Sequence, residues 1–213
     1  MKTKLFLIAV ALLSLNHCFA QDGAYQKAMG EALVKLSKAE SPDDLMSVSN
    51  AFDRIAMQKE GDLWSNYYAA LAKIRSSFSI QDVAKRDALL DGVLKDLSAV
   101  QEHHPNNSEL EVLRGYALMS KMVIDPASRG QQYSPMVAQS YGKAIAMDQE
   151  NPRAMAMMAR WELGTAQFFG SETTKPCGMA QQSLKLFEKD QPSGFEPGWG
   201  QDIAQEVLAA CAQ

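Results

Sequence analysis

The stretch "YGKAIAMDQENPRAMAMMARWELG", residues 141–164, decides the fold of this chain. Up to Met147, small and aromatic residues recur every three or four positions, which is the spacing of a helix that packs along one face. The polar segment Asp148–Pro152 follows, and a second apolar helical pattern begins directly after it. The stretch therefore predicts two helices that meet at a tight corner.

The same pattern extends outward over the rest of the chain. Apolar residues recur at helical spacing in about nine segments, which short polar links separate. No segment alternates apolar and polar residues for long enough to predict a strand. Because each amphipathic helix must cover its apolar stripe with a neighbour, we predict an all-α fold of stacked antiparallel helix pairs.

One segment beside the opening stretch predicts a loop. "DPASRGQQYS", residues 125–134, is rich in proline, glycine and serine, which are the residues of turns. We expect the following helix to run from roughly Pro135 to Met147.

The N-terminus has the pattern of a secretory signal peptide. Lys2 and Lys4 precede the apolar run "LFLIAVALLSL", residues 5–15, and "CFA" at 18–20 ends in a small residue. We therefore predict a signal peptide at residues 1–20, a single helical domain at 21–213, and a periplasmic or extracellular location. The apolar run is shorter than the ~20 residues that span a bilayer, so we expect no transmembrane anchor.

An alternative for the N-terminus stays open. Cys18 would carry the lipid if the chain were a bacterial lipoprotein, although His17 stands where that processing usually requires a small residue.

Charge argues against nucleic acid as a partner. The formal net charge is −4, and removal of Lys2 and Lys4 leaves −6 on the predicted mature chain. Binding to nucleic acid needs a basic surface that neutralises phosphates, and this mildly acidic chain has no basic run.

Two cysteines remain after the predicted cleavage, Cys177 and Cys211. An even number of cysteines in an oxidising compartment favours a disulfide. The helix that begins near Cys177 and the one that ends near Cys211 have similar lengths, so antiparallel packing would bring the two sulfurs together. Two free buried thiols are the alternative.

The opening stretch resembles the tetratricopeptide repeat. Ala138, Tyr141 and Ala144 have the small–aromatic–small spacing of that repeat's second helix, the turn 148–152 follows, and Ala159 stands at the small contact position of the next helix. The resemblance implies a right-handed superhelix of helix pairs. The segments "FAQ" at 19–21, "NPRA" at 151–154, "FFG" at 168–170 and "PGWG" at 197–200 also look like those of a set of exported bacterial proteins of this type.

The chain also departs from the tetratricopeptide pattern. Gln149 stands where the repeat prefers proline and Glu162 where it prefers an aromatic residue. Tyr68, Gly115 and Ala159 are 47 and 44 residues apart, whereas the repeat length is about 34. The chain is thus similar to a divergent member of this group.

Proteins of the tetratricopeptide type bind through a concave face formed by the first helix of each pair. By this resemblance the candidate groove residues are Ser65, Lys73, Tyr116, Met119, Arg153 and Arg160. Arg153 and Arg160 are two helical turns apart on one face, where they would capture a carboxylate of a partner. The alternative is a pair of solvated surface arginines.

The sequence has no pattern typical of an enzyme. It lacks G-x-S-x-G, H-E-x-x-H, C-x-x-C and a phosphate-binding glycine loop. His103 and His104 lie at a predicted helix end without further ligands, so we expect no metal site and no cofactor. We expect Phe195 and Trp199, in the turn-rich segment 191–200, to pack on the last helix pair and cap the stack.

These patterns predict a secreted or periplasmic, non-enzymatic helical-repeat protein that binds a protein or peptide in its concave groove. One alternative is a helical protein that encloses a small solute. An enzyme on a helical scaffold is the weaker alternative.

Overall fold

The computed structural model describes residues 23–212, and within them it contains nine α-helices and no strand. The all-α prediction is confirmed, while the predicted signal peptide and Cys18 lie outside the described residues. The helices are α1 (23–37), α2 (Pro42–Ala56), α3 (Leu63–Ser77), α4 (Val83–His103), α5 (Ser108–Met122), α6 (Pro126–Met147), α7 (Pro152–Phe169), α8 (Thr174–Phe187) and α9 (Gln201–Cys211).

Side-chain caps fix where several of these helices begin. Asp62, Asn107 and Asn151 each accept a hydrogen bond from a backbone N–H in the first turn of α3, α5 and α7. These bonds satisfy donors that a helix start leaves free. The three starts are spaced 45 and 44 residues apart, at Leu63, Ser108 and Pro152.

Helices α3, α5 and α7 form a central row and run in the same direction. The Asn151 amide donates to Ser108 Oγ, which joins the starts of α7 and α5, and the hydroxyls of Ser77 and Ser120 lie 2.8 Å apart near the ends of α3 and α5. Helices α2, α4, α6 and α8 pack against this row, and α9 packs on α7 and α8. The helices thus alternate between an inner row and an outer layer.

The core lies between these helices and is dominated by large side chains of the inner row and its neighbours. Tyr67, Phe52, Met29 and Tyr141 are fully buried. Tyr141 of α6 packs directly over Gly115 of α5, where the absence of a side chain lets the two helices approach closely.

The loop predicted for residues 125–134 is wrong, because this segment is the first half of α6. Asp125 caps the helix by accepting from the backbone N–H of Ser128, and Pro126 occupies the first turn, where its missing N–H costs nothing. Pro135 lies inside the helix.

A bidentate ion pair anchors this first half of α6 to the rest of the protein. The guanidinium of Arg129 donates to both carboxylate oxygens of Asp87 on α4, at 2.9 and 2.7 Å, and to the carbonyl oxygen of Lys121. Tertiary contacts therefore outweigh the turn-like composition of the segment.

The disulfide prediction is confirmed. Cys177 at the start of α8 is bonded to Cys211 at the end of α9, with the two Cα atoms 6.0 Å apart. The bridge ties the last helix of the chain to the beginning of the α8–α9 hairpin.

Candidate ligand-binding cavity

A cavity of about 1130 Å³ lies at the end of the inner row where α5 and α7 finish. Ligand sites for small molecules commonly have about 300–1,000 Å³, so this one is large. Its walls come from α5, the first half of α6, the second half of α7, and α9. The lining includes Phe78, Tyr116, Met119, Met122, Val123, Pro126, Gly130, Pro135, Ala138, Arg160, Trp161, Leu163, Gly164, Phe168, Phe169, Glu206 and Val207.

The cavity wall is predominantly apolar and aromatic, and its uncharged polar members are Gln131, Ser134, Thr165 and Gln167. Among its described lining residues, Arg160 of α7 and Glu206 of α9 alone carry charge, and Arg160 Nη2 lies 3.2 Å from Glu206 Oε2. A predominantly apolar surface with a few polar groups is the usual construction of a site that orients a ligand.

Aromatic side chains at the cavity mouth are exposed. Phe168 and Phe169, at the end of α7, are 59% and 72% exposed, and their rings meet edge to face. Gly170 ends the helix behind them with a left-handed backbone, φ 67°. Exposed aromatic side chains that continue into a cavity are typical of a binding surface.

Tyr116 forms part of the cavity wall and is supported from behind. Its ring stacks on the indole of Trp199, with centroids 6.3 Å apart, and the Trp199 Nε1–H donates to the Tyr67 hydroxyl at 2.8 Å. Burial raises the pKa of the Tyr116 phenol, so the side chain is neutral at physiological pH. Trp199 therefore couples the position of Tyr116 to the segment that leads into α9.

The opposite end of the inner row holds a buried polar network. Glu109 accepts hydrogen bonds from the Tyr67 hydroxyl, the Asn151 amide and Arg153 Nε, at 2.9, 2.8 and 2.7 Å. Arg153 Nη1 also donates to Asp190 at 2.7 Å. Arg153 is only 5% exposed, which corrects the expectation of a surface arginine that waits for a partner's carboxylate.

The structure separates the six predicted groove residues into two groups. Tyr116, Met119 and Arg160 meet in the cavity wall, and their part in binding stays a prediction. The others make internal contacts: Ser65 is buried and donates to Asp62, Lys73 pairs with Asp53 and Asp96, and Arg153 belongs to the network described above.

The expectation that Phe195 and Trp199 cap the last helix pair is wrong. The Tyr68 hydroxyl donates to the Phe195 carbonyl oxygen at 3.0 Å, and the Phe195 ring packs edge to face against Tyr25 of α1. Together with the contacts of Trp199, these place the segment 191–200 across α1, α3 and α5. This segment covers the inner face that the sequence predicts as an open groove.

Within residues 23–212, no helix has the length and hydropathy required to cross a membrane. No three His, Cys, Asp or Glu side chains in that range lie close enough together to share a metal ion. A ring nitrogen of His104 lies 2.9 Å from the Gly61 carbonyl oxygen, which is a structural contact.

Sequence reasoning missed much of the cavity. Its lining draws on α6 residues in the segment predicted as a loop, and on Glu206 and Val207 of α9, which helical periodicity cannot place beside α7. The sequence signal that could have indicated the cavity mouth is the pair Phe168 and Phe169 before Gly170, because two adjacent aromatic residues at a helix end point in different directions.

Comparison with solved structures finds a similar fold in a bacterial binding protein. The HusA haemophore from Porphyromonas gingivalis superposes with a TM-score of 0.78 at 26% sequence identity, and the match covers 88% of this chain and 92% of that chain. No protein-family model matches the chain, and no curated protein matches it. The resemblance to the tetratricopeptide repeat therefore stays an interpretation of the stacked helix pairs.

Proposed function

We propose that this chain is an exported, non-enzymatic binding protein that holds a porphyrin-class ligand, such as haem, in the cavity between α5, α6, α7 and α9. The observation that carries the proposal is the large cavity with its apolar, aromatic wall and single charged edge. The likeness to a haemophore over most of both chains supports it.

The chemistry of the wall suits a flat aromatic macrocycle. Tyr116, Trp161 and Phe168 offer ring surfaces, and Met119 and Met122 offer flexible, polarisable side chains that adapt to an irregular contact. A porphyrin has two broad apolar faces and carboxylates at one edge. The cavity likewise has apolar walls and one charged edge.

A protein or peptide in the concave groove, the first expectation from the sequence, has less support than a ligand in the cavity. The segment 191–200 covers the inner face of α3 and α5, and a peptide would have to displace the contacts that Trp199 and Phe195 make there. The cavity needs no such rearrangement.

Export is part of the same proposal. A disulfide persists in oxidising compartments, and the bridge between Cys177 and Cys211 agrees with the signal peptide predicted at residues 1–20. A location in the periplasm or outside the cell follows, with a lipid anchor at Cys18 as the alternative.

Titration of the protein, residues 21–213, with haemin tests the proposal by absorbance spectroscopy. Gly164 of α7 lines the cavity, and a Cβ added there meets nothing within 4 Å. We expect Gly164→Trp to fill the cavity and to lower haemin affinity at least about tenfold, since a bulky side chain would exclude the ring from its site.

Gly178→Trp is the matched control. Gly178 of α8 is equally free of contacts within 4 Å, and it does not line the cavity. The control should bind haemin like the wild-type protein, and circular dichroism should show both variants folded. Equal binding by the two variants, or no binding by the wild-type protein, would contradict the proposal.

A further inference from the structure

The charged edge of the cavity is built from a weak internal ion pair. Arg160 reaches Glu206 through Nη2 alone, at 3.2 Å, and the two side chains are 41% and 62% exposed. An exposed contact of this kind contributes little to stability. The two side chains can therefore separate at a small cost in free energy when a ligand group binds Arg160 more strongly than Glu206 does.

Four charged side chains lie around the Tyr116 end of the cavity, two of each sign. The guanidinium groups of Arg75 and Arg160 oppose the effect of burial on the pKa of this phenol, and the carboxylates of Asp202 and Glu206 reinforce it. The Arg75 guanidinium lies over the Trp199 ring, 5.6 Å from its centroid, and it forms no ion pair within 4 Å among the described residues. Because Glu206 pairs with Arg160, a ligand carboxylate has to compete with Glu206 for this guanidinium.

We infer that Arg160 binds a carboxylate of the ligand and that Glu206 is the internal carboxylate which the ligand displaces. The inference rests on the function proposed above and adds an orientation to it. The carboxylate edge of the porphyrin lies at α7 and α9, and the ring extends toward α5 and α6. The planar guanidinium can bind a carboxylate through two parallel N–H donors, a geometry that its present contact with Glu206 does not use.

Glu206 then acts as a selectivity residue. In the empty cavity it neutralises Arg160, and in the occupied cavity its negative charge lies beside the ligand carboxylate. A ligand without a carboxylate leaves the pair intact and gains nothing from Arg160. Removal of the Glu206 charge should therefore strengthen binding of a carboxylate ligand and leave an uncharged ligand unaffected.

The test compares protoporphyrin IX with its dimethyl ester, both in the same dilute detergent, by fluorescence titration of the protein, residues 21–213. We expect Arg160→Gln to weaken binding of the free acid about three- to tenfold, the range of a partly exposed charge-assisted contact, and to leave the ester unchanged. Glu206→Gln should tighten binding of the free acid about two- to fivefold and also leave the ester unchanged.

Lys175→Gln is the control for net charge. It removes one positive charge from the exposed ion pair of Lys175 with Glu162, which lies outside the cavity lining. This variant should bind both probes like the wild-type protein.

The outcomes separate this inference from the proposed function. Binding of both probes with equal shifts for acid and ester, or with no shift in either variant, would overturn the role of Arg160 and Glu206 while the cavity function stands. Failure of the wild-type protein to bind either probe would overturn the function and this inference with it.

Discussion

The ring of Tyr141 lies against the bare Cα of Gly115: a methyl group at residue 115 would stand 2.4 Å from Cε1 of the ring. Tyr141 is fully buried and belongs to α6, whereas Gly115 lies in the middle of α5. This contact sets the distance between two helices that line the cavity, α5 with its second half and α6 with its first half.

Gly115→Ala should therefore destabilise the protein although alanine favours helix. Overpacking against a buried ring costs about 1–3 kcal/mol and exceeds the helix-propensity gain of about 1 kcal/mol. We expect a net loss of up to about 2 kcal/mol in the free energy of unfolding, measured by urea denaturation.

Gly92→Ala provides the contrast. Gly92 is exposed in α4, and a Cβ there meets nothing within 4 Å, so this variant should gain about 0.5–1 kcal/mol. A loss at both positions would show that the close approach of Tyr141 is not the cause.

Removal of the hydroxyl group should affect stability differently at the two buried tyrosines Tyr67 and Tyr141. Tyr67 donates to Glu109 and accepts from Trp199, so Tyr67→Phe leaves a buried carboxylate and a buried indole N–H each short of a partner. We expect a loss of about 1–3 kcal/mol in the free energy of unfolding.

The Tyr141 hydroxyl has no hydrogen-bond partner among the described residues, so Tyr141→Phe should be neutral or slightly stabilising. Chemical denaturation of the two variants side by side gives the comparison. A similar cost for both would mean that loss of a hydroxyl, and not loss of its partners, decides the effect.

The sequence predicts a structural feature of this protein when the residues that determine it can be recognised without knowledge of the fold. Asn151 and Pro152 predict the start of α7, because a capping residue and a proline at the first helical position are adjacent in the sequence. Cys177 and Cys211 predict the disulfide, because they are the two cysteines of the predicted mature chain. The helix of 126–134 was missed because its composition is that of a turn and its stability comes from Arg129 on Asp87, 42 residues away.

The cavity was missed for the same reason. Arg160 and Glu206 meet across 46 residues, and Tyr116 is supported by Trp199 from the far end of the chain. The resemblance to the tetratricopeptide repeat predicts the inner helices, but it does not predict that the segment 191–200 packs across them.

The pairing of Asp87 with Arg129 predicts a dependence on pH. The hydrogen bonds from Arg129 hold the pKa of the Asp87 carboxyl below its usual range. Its folded pKa is thus lower than its unfolded value of about 3.9, so the contribution is complete above that value and is lost as pH falls through the folded pKa.

Asp87→Asn should therefore differ most from the wild-type protein at neutral pH and approach it in stability below about pH 4. Thermal melts from pH 7 to 2 measure this difference. In an Arg129→Gln background the same substitution should change the acid side of the profile less, because only Lys121 and Arg86 then remain beside the carboxylate. A difference that stays constant down to pH 2 would contradict the pairing.

Loss of the disulfide should weaken both the fold and the cavity. In the chain-entropy model, a loop closed by cysteines 34 residues apart contributes about 3–4 kcal/mol. The variant Cys177→Ser/Cys211→Ser should lose about that much stability, and haemin affinity should fall because α9 supplies Glu206 and Val207 to the cavity wall. Reductant should reproduce the loss in the wild-type protein and have no effect on the double variant.

The bridge between Cys177 and Cys211 also makes the last part of the chain a covalent ring. A protease that cuts anywhere in residues 178–210 opens this ring without releasing a fragment, and the mass of the unreduced molecule rises only by one water. After a single cut in the exposed segment 192–194, Trp199 and α9 would remain covalently joined to α8 through the disulfide, so the cavity should stay in place.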